Sequence, residues 1–200
     1  MSATSILLST AYLPSIHYLK HVVQADTIVL EAHEHFVRQS YRNRAEVLTS
    51  NGKLTLTIPL LKQTEKEIIS NKRISYAENW QHQHWRTIVS SYKSSPYFEF
   101  FEDDLKPFYE KKHEFLLEYN TELLKAILHI LRIKKDINAT RQFETLPTEY
   151  KDLRSLSNVH SITDNPAQPY YQVFIDKQGF VSNLSCIDAL FNVGLETQFL

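Results

Sequence analysis

The feature that most constrains the fold is a strand–helix–strand pattern at the start of the sequence. Residues 6–12 form a short apolar run that a proline soon ends, which is typical of a buried strand. A serine that can cap a helix over residues 16–24 follows, and residues 27–31 predict a second strand. Strands joined in this way pair in parallel, and ligands of such sheets bind beyond the strand carboxyl ends, where Tyr12 and Glu31 lie.

The middle of the chain predicts a hairpin and a long helix. Alternating residues at 44–49 and 53–59 flank Asn51 and Gly52, a pair that strongly favours a tight antiparallel turn. Apolar residues recur every three or four positions from 105 to 132, which predicts one helix of about 40 Å.

A helix rich in aromatic side chains is predicted between these two features. Asn79 has the chemistry of an N-cap, and Pro96 marks the end of the helical segment. The spacing of four places His84, Ile88 and Tyr92 along one stripe. Such a face can build a core and still present an imidazole and a phenol at its edge.

These patterns together predict an α/β fold. A length of 200 residues suits one domain. We expect a single domain over residues 1–200, with a mixed β-sheet made of the parallel βαβ start and the antiparallel hairpin, and with helices covering it. The polar, proline-containing segment near residues 144–169 predicts an extended excursion from this domain.

Charge and composition exclude several classes of function. The 22 Lys and Arg residues against 23 Asp and Glu residues give no basic excess for binding nucleic acid. No apolar run approaches the ~20 residues that span a bilayer, and the short apolar start has no basic flank, so we expect a cytoplasmic protein. The three glycines form no phosphate-binding pattern, and the single cysteine, Cys186, excludes an internal disulfide.

Five motifs occur in a characteristic order along the chain. They are Tyr12-Leu-Pro14, residues 40–44 (Ser-Tyr-Arg-Asn-Arg), residues 54–59, Trp80 with His84, and residues 92–98. This ordered set resembles the WbqC-like family of bacteria, and residues 183–192 resemble its Bacteroidetes branch. The resemblance implies a role in the biosynthesis of surface polysaccharide (O-antigen), and some members carry a glycine- or aminoacyl-transferase label.

Arg42, Asn43 and Arg44 are the strongest candidates for binding an anion. Guanidinium groups hold phosphate or carboxylate through two parallel hydrogen bonds, and asparagine adds a neutral donor and acceptor. The alternative is structural, because alternate residues of a strand would place both arginines on one face, paired with Glu46 or Glu31. With the family resemblance, we expect these three residues to bind an anionic small molecule or an activated sugar.

His84 is the candidate general base, because its usual pKa lies near neutrality and Glu31 could orient it. The alternative is a buried histidine bonded to a backbone carbonyl. We expect His84 and Glu31 to be catalytic, and Tyr12 and Tyr92 to contact the substrate. All four are expected to converge with the arginine motif around one concave site.

Glu31, His33 and His35 are the best metal candidates, because in extended backbone their side chains would point the same way. The alternative is polar surface, and the family resemblance does not require histidine at 33 or 35. We therefore expect no metal at the site.

Two functions of different kinds remain open. The leading hypothesis is a transferase that moves an acyl or aminoacyl group to a sugar amine or hydroxyl. The alternative is a non-catalytic binding protein of the same pathway, which recognises an anionic sugar or a partner enzyme. Removing the base of a catalytic site should abolish turnover and keep the ligand, whereas a binding module has no turnover to lose.

Overall fold

The computed structural model describes residues 4–62, 67–159 and 168–200. Four parallel strands form the central sheet in the order β5-β2-β1-β6. These strands are β1 (Ser5–Ser9), β2 (Thr27–Glu31), β5 (Asp136–Ala139) and β6 (Lys151–Asp152). The parallel pairing of β1 with β2 runs from Ser5 opposite Thr27 to Ser9 opposite Glu31. This confirms the predicted βαβ start, although the first strand ends at Ser9 and not at residue 12.

The hairpin forms a separate two-stranded sheet of β3 (Arg44–Thr49) and β4 (Gly52–Thr57). Its antiparallel pairing confirms the turn signal, and Gly52 adopts a φ of 111°, which residues with a side chain rarely adopt. The α/β class is confirmed. The mixed character arises from two separate sheets and not from one sheet that contains both kinds of pairing.

Six α-helices are present among the described residues. They are α1 (Ile16–Gln24), α2 (Trp80–Tyr92), α3 (Phe98–Leu105), α4 (Leu116–Ile130), α5 (Ile175–Gln178) and α6 (Cys186–Val193). Short 3-10 helices cover Ile69–Asn71, Lys106–Tyr109, Arg154–Ser157 and Gly194–Phe199. None of the helices in the part of the chain that the structure describes has the length and apolar character needed to cross a membrane.

The prediction of one helix over residues 105–132 is wrong. Helix α3 ends at Leu105, and a 3-10 turn follows that contains Pro107, which has no backbone N–H to continue an α-helix. Residues 110–114 consist only of charged residues and one histidine, so they have no apolar side chain to bury. Helix α4 then begins at Leu116, where the apolar stripe resumes.

The excursion predicted near residues 144–169 is partly regular structure. Lys151–Asp152 forms the edge strand β6, and Arg154–Ser157 forms a 3-10 helix beside β1. Residues 160–167 of this prediction lie outside the described residues.

The two faces of the parallel sheet have different surroundings. Side chains on one face belong to the main hydrophobic core, and in the two central strands these are Ile6, Leu8, Ile28 and Leu30. Leu7 and Val29 point to the opposite face, because successive strand residues alternate in direction. They are buried but lie outside that core and line a cleft together with residues from the segment 138–150.

Candidate functional site

A basic pocket of about 510 Å³ lies between the loop before β3 and the segment that follows β4. Its cationic side chains are Arg38, Arg44, Lys62 and Lys72. Glu67 is the one acidic side chain among the described lining residues, so that lining has a net formal charge of +3. Because the whole chain has a net charge of −1, this concentration of positive charge is a local feature.

Lys72 forms the inner wall of this pocket. Its ammonium donates to the Glu67 carboxylate at 2.9 Å and to the Leu61 carbonyl at 3.2 Å. It is therefore already paired. Arg38 and Lys62 are exposed at the rim of the pocket, and Arg44 is partly buried in its wall. Arg44 forms no ion pair with any described residue.

Two buried polar atoms at the pocket have no hydrogen-bond partner among the described residues: Nε of Arg44 and Oδ1 of Asn43. Asn43 is fixed in place by two hydrogen bonds to Ile58. Its side-chain Nδ2 donates to the Ile58 backbone carbonyl at 2.8 Å, and its backbone carbonyl accepts from the Ile58 N–H at 2.9 Å. Buried polar atoms in folded proteins are nearly always paired. These two atoms are among eleven buried side-chain atoms of the described residues without such a partner, and both lie beneath the pocket surface.

Arg42 has a different environment from Arg44, although both belong to the same motif. Its guanidinium makes a two-point contact with Glu34, with Nε to Oε1 at 2.8 Å and Nη2 to Oε2 at 2.7 Å. Nη2 also donates to Ser9 Oγ and Nη1 to Asn158 Oδ1. Arg42 is only 2% exposed, so it is committed to a buried carboxylate. The structural alternative for this residue is thus observed, with Glu34 as the partner in place of Glu46 or Glu31.

His84 and Tyr12 meet inside the aromatic core and do not line the basic pocket. The Tyr12 hydroxyl lies 2.9 Å from Nδ1 of His84 and 3.0 Å from the Tyr109 hydroxyl. The His84 ring also bonds the Thr57 backbone carbonyl. A neutral imidazole with its hydrogen on Nε2 satisfies both contacts, with Tyr12 donating to Nδ1. Tyr12 and Thr57, not Glu31, therefore orient His84.

Burial determines the protonation of His84 and of the tyrosines around it. It lowers the pKa of His84 to about 4, although the hydrogen bond to Thr57 acts in the opposite direction. It also raises the pKa of the Tyr12 phenol well above its ordinary value of 10.0, with the neighbouring Tyr109 and Tyr119 adding to the effect. At neutral pH the whole group is uncharged.

Glu31 lies at the carboxyl end of β2, as predicted, and is fully buried. Its carboxylate accepts from Thr140 Oγ1 at 2.7 Å and from the His33 backbone N–H at 2.9 Å, and it lies 3.4 Å from Nη1 of Arg154. The three candidate metal ligands Glu31, His33 and His35 do not form a metal-binding group. Among the described residues, no three side chains of His, Cys, Asp or Glu are placed to share an ion.

Tyr92 lies at the end of α2 and is 1% exposed. Its hydroxyl accepts from the Leu48 backbone N–H at 3.2 Å, and its ring packs on Phe191 with centroids 5.4 Å apart. The seven predicted site residues therefore do not converge on one concave site. Only Asn43 and Arg44 line the basic pocket, while Glu31 lines a second cleft.

Three neighbours of the candidate site residues are not predicted by the sequence: Glu34, Lys72 and Tyr109. Glu34 is in a loop without regular periodicity, and Lys72 follows a mostly polar segment whose Ile69 is buried in the core. Basic residues on both sides of the hairpin, at 38 and at 62, are the available signal for the pocket, because the two ends of a hairpin lie close in space.

The arrangement is that of an α/β protein with a parallel sheet, a separate hairpin and a basic pocket beside that hairpin. The chain belongs to the WbqC-like protein family, whose model matches residues 10–164. Over 216 residues it is 22% identical to "Uncharacterized protein Rv1507c" from Mycobacterium tuberculosis (strain ATCC 25618 / H37Rv), an alignment that covers 95% of this chain and 94% of the relative. No solved structure matches the chain.

Proposed function

We propose that the protein acts in the biosynthesis of bacterial surface polysaccharide and that its basic pocket binds the anionic part of an activated sugar. The observation that carries this proposal is Arg44, which lines a pocket of net formal charge +3 and forms no ion pair with any described residue. The resemblance to the WbqC-like family supports the choice of pathway. The cytoplasmic location expected from the sequence belongs to the same proposal.

The chemistry of the pocket fits phosphate better than a neutral group. Arg44 can offer two parallel N–H groups to phosphate oxygens, and the exposed cations Arg38 and Lys62 can add charge at the rim. A volume of about 510 Å³ is that of an ordinary small-molecule site.

The test of this proposal is the variant Arg44→Lys. We expect its melting temperature to be nearly unchanged, because Arg44 has no ion pair to any described residue. Binding should weaken at least about tenfold, or ~1.4 kcal/mol, because lysine cannot reproduce the planar two-point contact. UDP-glucose, UDP-N-acetylglucosamine and inorganic phosphate are first screened for thermal stabilisation, and the best probe is then titrated by calorimetry.

Arg86→Lys is the matched control, because Arg86 is exposed on α2 and lies outside the pocket. It should change neither the melting temperature nor the affinity. A large melting loss in Arg44→Lys with unchanged affinity would return Arg44 to a structural role. The absence of stabilisation by every probe would reject the anion site.

The second candidate function is transfer of an acyl or aminoacyl group, with His84 as the general base. In this reaction the sugar amine or hydroxyl would attack the acyl carbon, its proton would pass to His84 Nδ1, and the carrier would leave with the acyl bond broken and take up that proton. This requires the Tyr12 hydroxyl to move away from Nδ1, because the two are bonded at 2.9 Å. Glu31 belongs to this hypothesis as the second predicted catalytic residue, although it lies apart from His84.

The variant His84→Gln tests this candidate. Acylated sugar formed from an acyl carrier and a nucleotide-sugar is detected by mass spectrometry. We expect the variant to lose product while it retains the affinity of the basic pocket, because His84 does not line that pocket. Equal product formation by the variant and the unchanged chain would remove His84 from the mechanism and leave the binding function.

A further inference from the structure

A second cleft, of about 680 Å³, lies on the face of the parallel sheet opposite the main core. Leu7 of β1 and Val29 of β2 form an apolar floor. The segment 141–150, which contains no helix, lies over this face and forms the rim. Parallel sheets are usually covered by helices on both faces. Here a polar segment replaces the helix and leaves space for a ligand.

The rim segment is fastened to the sheet by Arg154. Its guanidinium donates to the backbone carbonyls of Glu144 at 2.9 Å and Thr145 at 3.2 Å. The same group contacts Asp152 in β6 at 2.6 Å and Glu31 in β2 at 3.4 Å. Because one partly buried side chain joins the rim to two strands, the cleft is already formed without a ligand.

The lining combines an apolar floor with many hydrogen-bonding groups. Asn138, Gln142 and Tyr150 provide amide and phenol groups that can donate and accept, and Tyr150 also offers an aromatic ring. Three carboxylates line the cleft against one cation, Arg141, and one of the three, Glu31, is neutralised by Arg154. This charge disfavours a phosphate or carboxylate ligand, in contrast to the basic pocket.

We propose that this cleft binds a neutral, hydroxyl-rich sugar ring of the pyranose class. Binding of this ligand requires neither the Arg44 pocket nor the anion proposed to bind there. A pyranose has apolar C–H faces that can stack on the Tyr150 ring, above the buried floor of Leu7 and Val29. Its hydroxyls, at the edge of the ring, can then reach the amides of Asn138 and Gln142. The cleft volume lies within the range of about 300–1,000 Å³ found for small-ligand sites.

The experiment is an NMR titration of the full chain, isotope-labelled, with methyl glycosides of glucose, galactose, mannose and N-acetylglucosamine. We expect at least one of them to shift the backbone amides of residues 27–31 and 138–150. Tyr150→Ala should weaken that binding at least about fivefold, because the ring supplies one face of the contact. Asn138→Ala, at an exposed position of β5, is a second variant that should weaken it while the fold is kept.

Tyr171→Ala is the matched control, because Tyr171 is 55% exposed and lies outside the cleft. It should leave glycoside binding unchanged, as should Arg44→Lys. Conversely, Tyr150→Ala should leave phosphate binding unchanged, which separates this proposal from the basic pocket. No shift with any of the four glycosides, or equal losses in Tyr150→Ala and Tyr171→Ala, would overturn the proposal.

Discussion

Replacing Arg42 by alanine is expected to lower the free energy of unfolding by about 3–5 kcal/mol, the usual cost of removing one partner of a buried ion pair. The side chains of Arg42 and Glu34 are 3% and 9% exposed. Without the guanidinium, the Glu34 carboxylate keeps only the Ser9 hydroxyl as a side-chain donor among the described residues. Urea unfolding followed by circular dichroism measures the loss.

Arg86→Ala is the control for this prediction, because it removes an exposed guanidinium and should change stability by less than about 0.5 kcal/mol. The double variant Arg42→Ala with Glu34→Ala should lose less than the sum of the two single variants, because each single change leaves a lone buried partner. Additive losses would show that the pair contributes no coupling. A small loss in Arg42→Ala alone would show that the residue is not committed to Glu34.

Acidification from pH 7 to pH 4 is expected to remove about 3 kcal/mol of stability through His84 alone. The pKa of His84 is about 4 in the folded chain, against an ordinary value of 6.5. Between these two values the unfolded chain binds the proton and the folded chain does not. The contribution of His84 is therefore present above pH 6.5 and is lost as the pH falls through the folded pKa near 4.

Comparison of His84→Gln with His82→Gln isolates this effect, because His82 lies two residues away on α2 and is exposed. Unfolding free energies are measured at intervals from pH 7 to pH 4. The free energy of unfolding should depend less steeply on pH in His84→Gln, and its pH dependence should stay unchanged in His82→Gln. Burial also lowers the pKa values of His17 and His21, which therefore add to the slope equally in both variants. Identical slopes in the two variants would contradict the burial of His84.

The predictable parts of the fold are those determined by neighbouring residues. The predicted segments 16–24 and 27–31 match α1 and β2, because a cap, an apolar stripe and a β-branched run are local signals. The helix over residues 105–132 fails for a local reason too, since Pro107 and the charged residues after it outweigh the apolar period. The separation of the hairpin from the parallel sheet depends on packing, which no short pattern encodes.

The candidate site could be predicted only in part, because its partners are distant in sequence. Arg42 and Arg44 look equivalent in the sequence, yet Glu34 pairs only with the first. Tyr12 and His84, which bond each other, are 72 positions apart. The motif therefore identifies residues that contact other parts of the chain, whereas the structure decides which of them can reach a ligand.

The order of the parallel strands has a consequence for how the chain folds. The two central strands are close in sequence, but their outer neighbours come from Asp136–Ala139 and Lys151–Asp152. During synthesis, β1 and β2 can pair early, whereas their outer edges remain open until more than 100 further residues have been made. Open strand edges can pair with other chains. The central strands of a nascent chain can therefore mispair until β5 and β6 cover their outer edges.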